Sequence, residues 1–160
     1  MLSTSSFGQK CAEFEIDALV SNSCVNQPSG SIVLAIENGV SPFVVKWNDG
    51  SSEMSRSSLK AGKYSVSVND RNGCSQTVSF VVSNYPIIFI SQLSGNDNDI
   101  ELKFKGGVNP LSVMWINSNG RMNNKSRFLN NPKTGTYIAI VSDANNCSEI
   151  EKVVIELSAN

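Results

Sequence analysis

The stretch Gly39-Val40-Ser41-Pro42-Phe43-Val44-Val45-Lys46-Trp47 recurs in the chain as Gly107-Val108-Asn109-Pro110-Leu111-Ser112-Val113-Met114-Trp115. Each copy is followed by a Gly-x-Tyr segment that leads to an Asp and a Cys, ending at Cys74 in the first copy and at Cys147 in the second. An internal repeat constrains the fold more strongly than any single element does. The sequence therefore predicts two copies of one small domain, over residues 11–84 and 85–160.

Both copies carry the alternation of polar and apolar residues that is typical of half-buried strands, most clearly over residues 100–105. No segment combines the helical period with capping residues. About seven short strands per copy are expected, with a Trp on the third strand and a tyrosine corner near the sixth. The predicted fold is all-β, with two tandem Ig-like β-sandwich domains arranged end to end. The predicted structural core residues are Trp47, Tyr64, Trp115 and Tyr137.

Composition excludes several classes of function. The net charge is −1 with both signs scattered, which argues against a nucleic-acid partner or a polybasic membrane patch. The chain has no histidine, which removes Ser-His-Asp and Cys-His catalysis and most zinc sites. Apolar runs are too short for a transmembrane segment. We therefore expect no enzyme activity, no metal and no cofactor.

Acidic side chains near turns have a structural interpretation. Asn48-Asp49 and residues 96–99 carry oxygen atoms that could bind Ca²⁺, but such clusters are also ordinary turn chemistry. Asp70 and Asp143 are predicted to cap the turn that precedes each repeated Cys.

The N-terminal residues 1–10 leave two interpretations open. Small residues around Gly8 resemble the end of a signal peptide, although a basic start and a full apolar segment are lacking. The same residues could equally form a disordered N-terminus.

The repeat resembles the SprB-type repeat of Bacteroidetes gliding-motility adhesins and related cell-surface proteins. The first copy carries the family pattern at Gly39, Pro42, Phe43, Trp47, Gly62, Tyr64, Val66, Val68, Asp70, Asn72, Gly73 and Cys74, with an earlier Cys24. The second copy is degenerate, with Asn146 in place of the turn Gly and Gln92 in place of the early Cys. The resemblance implies a non-catalytic exported module that acts as a stiff spacer or as a subunit of a bacterial cell-surface assembly, related to gliding or type IX secretion. The implied location is secreted, cell-surface or periplasmic.

The four cysteines predict two disulfides in an exported protein, against an alternative of four buried thiols in a cytosolic one. In an Ig-like sandwich Cys24 and Cys74 lie at opposite ends of the domain, too far apart for the Cα separation of about 7 Å that a disulfide allows. Cys11 lies at the same end as Cys74. We therefore predict the pairs Cys11–Cys74 and Cys24–Cys147.

Tyr85 and Phe128 are the best candidates for exposed aromatic residues that bind a partner, with interdomain or loop packing as the alternative. The longer segment 117–128 of the second copy is the place where a binding site is expected. The partners would be other cell-surface proteins or surface glycans, within a larger complex. The alternative function is a carbohydrate-binding module of a secreted protein. That function would need a row of exposed aromatic residues.

Overall fold

The computed structural model describes residues 14–94 and 99–156, which divide into two compact units. The first unit contains residues 14–23 and 28–84. The second unit contains residues 85–94 and 99–156, together with the short segment 24–27. The predicted boundary places residues 24–27 in the first domain, and the structure assigns them to the second unit instead.

The first unit is a sandwich of two antiparallel sheets. Its strands are β1 (Glu15–Ser21), β2 (Gly30–Glu37), β3 (Val44–Trp47), β4 (Ser55–Leu59), β5 (Gly62–Asn69) and β6 (Ser75–Val82). One sheet has the order β1-β2-β4 and the other has the order β3-β5-β6. These are strands A, B and E opposite strands C, F and G of the immunoglobulin arrangement. The described residues of this unit therefore form six strands, and not about seven.

The second unit repeats the arrangement with one additional strand. Its strands are β7 (Ile88–Ser94), β8 (Ile100–Gly106), β9 (Ser112–Asn117), β10 (Gly120–Arg121), β11 (Phe128–Leu129), β12 (Gly135–Ser142) and β13 (Ser148–Ile155). The sheets have the orders β11-β8-β7 and β10-β9-β12-β13. The strand orders confirm the predicted all-β, Ig-like class. The extra strand β10 pairs with the end of β9 and occupies part of the longer segment of the second copy.

Each unit has its own hydrophobic core built around the repeated Trp. Trp47 and Trp115 are 1% and 0% exposed. A buried indole N–H needs an acceptor. The Nε1 atom of Trp47 donates to the Glu53 carbonyl at 2.9 Å, and that of Trp115 donates to the Ser126 carbonyl at 2.9 Å. Both rings therefore lie in the core, as the inward phase of their strands predicts.

Both tyrosine corners are present. The Tyr64 hydroxyl donates to the Lys60 carbonyl at 2.9 Å, and the Tyr137 hydroxyl donates to the Lys133 carbonyl at 3.0 Å. Each bond ties the start of a central strand to the backbone that leads into it. Tyr137 is buried, whereas Tyr64 is half-buried with the Arg56 guanidinium 5.4 Å from its ring centre.

Within residues 14–94 and 99–156 the structure has no helix with the length and apolarity needed to cross a membrane.

Candidate interaction surface

A buried aspartate organises the turn before Cys74. Asp70 is 8% exposed, and its Oδ1 atom accepts hydrogen bonds from the backbone N–H groups of Asn72 and Cys74, both at 2.9 Å. Its Oδ2 atom accepts from the N–H of Val40 at 3.4 Å. A carboxylate that accepts several backbone bonds satisfies donors that would otherwise be buried without partners. Asp70 therefore holds the β5–β6 turn and the β2–β3 turn together.

The second unit reproduces this arrangement. Asp143 is 5% exposed and accepts from the N–H groups of Asn145 and Cys147 at 2.9 Å and of Val108 at 3.1 Å. In addition, the Ala144 N–H donates to the Val108 carbonyl at 2.9 Å. The two repeated aspartates are thus turn caps, in agreement with their predicted role, and each positions a repeated cysteine.

The cysteine that Asp143 positions forms a disulfide with Cys24, which is the predicted pair. Their Cα atoms are 5.4 Å apart, within the ordinary range for a disulfide. The bond joins the loop between β1 and β2 to the turn between β12 and β13. Gln27 reinforces it, because its Nε2 atom donates to the Ser148 hydroxyl at 3.1 Å. The cavity beside this disulfide has a volume of about 20 Å³, roughly enough for one water molecule and too small for an organic ligand.

Cys74 is also disulfide-bonded. Its predicted partner, Cys11, lies outside the described residues, so the pair Cys11–Cys74 stays a prediction. The segment 1–10 lies outside them as well.

Asp49 belongs to a turn. Its carboxylate accepts hydrogen bonds from the side chain and the backbone N–H of Ser51, and it forms an ion pair with Arg56. The bonds from Ser51, and then the Arg56 charge, lower the pKa of Asp49 from 3.8 to about 2. Within the described part of the chain no group of three or more His, Cys, Asp and Glu side chains could hold a metal ion. Of the predicted calcium candidates, residues 96–98 lie outside that part.

The two predicted partner-binding aromatics lie in different environments. Tyr85 is half-buried. Phe128 is 40% exposed on β11, but the Arg127 guanidinium lies 4.9 Å from its ring centre and Arg127 also pairs with Glu101 at 3.2 Å. One side of the Phe128 ring is therefore occupied by a cation. Tyr85 lies before β7 and Phe128 lies on β11.

A larger apolar surface lies on the solvent-facing side of the β9-β12-β13 sheet. Strand alternation directs Tyr137, Ala139 and Val141 into the core and directs the intervening residues outward. The outward residues of the three strands include six aliphatic or thioether side chains, which we call the apolar face: Met114, Ile116, Ile138, Ile140, Ile150 and Val154.

The register aligns the apolar face in rows across the sheet. Ile140 is paired with Met114 on one side and with Ile150 on the other. Neighbouring strands lie about 4.8 Å apart, which places the side chains of directly paired residues within packing distance of each other. The next row contains Ile116, Ile138 and Lys152. Ile150 is 64% exposed and Val154 is 52% exposed, so the face remains in contact with solvent.

The first unit provides an internal comparison for this face. Its row equivalent to Met114, Ile140 and Ile150 consists of Lys46, Ser67 and Thr77. The row equivalent to Ile138 and Lys152 contains Ser65 and Ser79. The outer side of the first unit also carries Val44 and Val81, which are 63% and 61% exposed, and Val81 is equivalent to Val154. The two central rows nevertheless differ, so the fold does not require the apolar residues at Met114, Ile138, Ile140 and Ile150.

The inward-facing residues of the strands do not reveal the apolar face. Alignment of the two copies on Tyr64 and Tyr137 would have found it, since Ser65 and Ser67 align with Ile138 and Ile140. The predicted binding segment 117–128 contributes β10 and the acceptor of the Trp115 N–H, but the apolar face lies mainly on regular strands.

No family model matches the chain, and no curated protein sequence does. Solved structures of similar architecture include the N-terminal eight Ig domains of Down Syndrome Cell Adhesion Molecule isoform 1.30.30, at 13% identity and a TM-score of 0.35 over 91% of this chain. The chain spans a quarter of that structure, since the match covers 25% of it. Another is DIP-gamma IG1+IG2, at 15% identity and a TM-score of 0.30, covering 89% of this chain and 96% of that one. The Ig-like assignment itself follows from the strand order of the chain's own sheets.

Proposed function

We propose that this chain is a non-catalytic, exported structural or adhesion module that binds another macromolecule through the apolar face of its second unit. The observation that carries the proposal is the row Met114, Ile140 and Ile150, at positions where the first unit has Lys46, Ser67 and Thr77. Apart from the additional strand β10, the two sheets have the same strand order. We therefore attribute the apolar side chains of the second unit to a partner that its outer side binds.

The energetics favour a binding role for this face. Full burial of an Ile side chain is worth about 1.5–3 kcal/mol relative to leaving it in water. Ile150 and Val154 are 64% and 52% exposed, and the other four side chains of the face are half-buried, so part of this free energy is still available on binding. A contiguous exposed apolar patch is typical of an interaction site. Its aliphatic composition suits a protein surface better than a sugar, which would stack on open aromatic rings.

Export is supported by the disulfide chemistry. The Cys24–Cys147 bond and the bonded state of Cys74 are typical of proteins in an oxidising compartment. Together with the resemblance of the repeat to the SprB type, they support a cell-surface or secreted location. Within that setting the chain would act as a two-domain spacer or as a subunit of an assembly related to gliding or type IX secretion.

The experiment that tests the proposal compares two matched positions by photo-crosslinking in the cells that make the protein. A photo-reactive residue replaces Lys152 on the apolar face, or Ser79 at the equivalent position of the first unit. We expect macromolecular adducts from position 152 and none above background from position 79. Equal yields from both positions would contradict the proposal.

A glycan array run with the same protein tests the carbohydrate-binding alternative. Because Arg127 covers one side of the Phe128 ring, we expect no glycan whose binding is lost in Phe128→Ala. Specific glycan binding that depends on Phe128 would favour a carbohydrate-binding module instead.

A further inference from the structure

Resting on the proposed function, we infer that the partner of the apolar face is a second copy of this chain, which docks through the outer side of its own β1-β2 sheet. That side carries Glu15, Asp17 and Glu37 together with Leu19, Val33 and Ala35, and we call it the acidic face. The contact is heterologous, because two different surfaces of the same protein meet.

Within residues 14–94 and 99–156, the acidic face holds negative charge without an ion-paired cation. Glu15 lies directly across the strand pair from Glu37, and Asp17 lies on the same side two residues further along β1. Like charges at directly opposed positions destabilise a sheet. None of the three carboxylates forms an ion pair with another residue of 14–94 or 99–156, although Asp17 accepts the Ala18 N–H at 2.7 Å. A cationic partner would relieve this repulsion.

The same face has an apolar end. Leu19 is 73% exposed and lies opposite Val33, which is 42% exposed. Ala35 lies between this pair and the carboxylates, opposite Asp17. The face therefore offers aliphatic contact at one end and negative charge at the other.

The apolar face has complementary properties. Its charged neighbours are Lys152, within the second row, and Arg121, on β10 beside Ile116. Both are cations and both are exposed. If two apolar faces met each other, they would bring like charges into one interface. An acidic face instead supplies carboxylates to the cations and Leu19 and Val33 to the isoleucines. Sheet faces pack on one another about 10 Å apart, with interdigitating side chains.

The remaining outer sides do not offer such a match. The outer side of β7 and β8 carries Lys103 and Lys105, and that of β3 and β5 carries Lys46 and Lys63. Among the described sheets, the excess of acid is confined to the acidic face. The second unit does not share this negative charge. Lys105 lies at the same distance before Pro110 as Glu37 does before Pro42, so an acidic residue in the first unit corresponds to a basic residue in the second.

The test uses two variants whose replacements are copied from the twin unit and are therefore compatible with the fold. Ile138→Ser, Ile140→Ser and Ile150→Thr give the second unit the residues of the first. Asp17→Ser and Glu37→Lys give the first unit the residues of the second. Far-UV circular dichroism and thermal unfolding confirm that both variants are folded.

Sedimentation velocity over a concentration series then measures association of the full chain. We expect the wild type to self-associate and each variant alone to have a dissociation constant raised by at least about tenfold. A mixture of the two variants should recover association, because each retains the face that the other has lost. Raising the salt concentration should weaken the wild-type association.

Three results would overturn the inference. These are a wild type that stays monomeric at all concentrations, an acidic-face variant that associates as strongly as the wild type, and a mixture that does not recover. The proposed function fails separately, by the absence of any adduct from position 152. Adducts from that position to a different protein would sustain the proposed function and refute self-association.

Discussion

Asp143 gives the sharpest test of the turn structure that positions the repeated cysteine. Replacing it with Ala removes the acceptor of three backbone N–H groups, those of Asn145, Cys147 and Val108. The residue is 5% exposed, so water does not readily replace the carboxylate. We expect Asp143→Ala to destabilise the second unit substantially.

The magnitude follows from the three bonds. A hydrogen bond contributes about 1 kcal/mol net, and a buried donor left without a partner costs about 1–3 kcal/mol. Three donors therefore give a loss of at least about 3 kcal/mol in the free energy of unfolding. Asp143→Asn keeps one acceptor oxygen for Asn145 and Cys147 but presents an amide donor to the Val108 N–H. Its expected cost is smaller, about 1–2 kcal/mol.

Denaturant unfolding followed by tryptophan fluorescence measures these losses in one unit at a time. Each unit has one buried Trp, so a Trp47→Phe background leaves Trp115 as the reporter of the second unit. Glu156→Ala, which removes an exposed charge, serves as the control. A loss below about 0.5 kcal/mol for Asp143→Ala, or a loss equal to that of the control, would refute the assignment of Asp143 as the turn cap.

Three further predictions concern other parts of the chain. Because the pKa of Asp49 is lowered to about 2, the contribution of its carboxylate to folding stability should be fully present above about pH 4 and lost as the pH falls through about 2. NMR titration of Ser51→Ala should show the pKa of Asp49 moving back towards 3.8. The double variant Cys24→Ser and Cys147→Ser should lose up to about 4–5 kcal/mol in denaturant unfolding in the chain-entropy model, since the bond spans 123 residues, and no loss would contradict a stabilising role. Tyr137→Phe removes the bond to the Lys133 carbonyl at 3.0 Å and should cost about 1 kcal/mol in the same assay; an unchanged stability would show that the corner contributes nothing.

The fold could be predicted because its determinants are local and repeated. The Trp at the end of strand C, the Gly-x-Tyr start of strand F and the Asp before each Cys recur in both copies. In a small sandwich the Trp forms a buried ring, the Gly-x-Tyr start forms a tyrosine corner, and the Asp caps a turn. The pair Cys24–Cys147 was predicted from the end of the domain at which each cysteine lies, which the strand topology determines.

The remaining features depend on contacts between distant positions. Residues 24–27 belong to the second unit, and although the pair Cys24–Cys147 was predicted, no local pattern indicates that Gln27 contacts Ser148 or that the whole segment joins that unit. Strand β10 is two residues long and carries no alternation. The apolar face arises only when the register places Met114, Ile140 and Ile150 side by side. Exposed aromatic residues were therefore a poor guide to it.

The measurement that tests the central claim most directly is retention of the protein on the surface of the cells that produce it. Protease treatment of intact cells, followed by quantitative mass spectrometry of the released peptides and of the culture medium, compares the wild type with the Ile138→Ser, Ile140→Ser and Ile150→Thr variant. If the apolar face holds the chain in its assembly, the wild type is recovered from the surface and the variant moves to the medium. Equal retention of the two proteins on the surface would contradict the account.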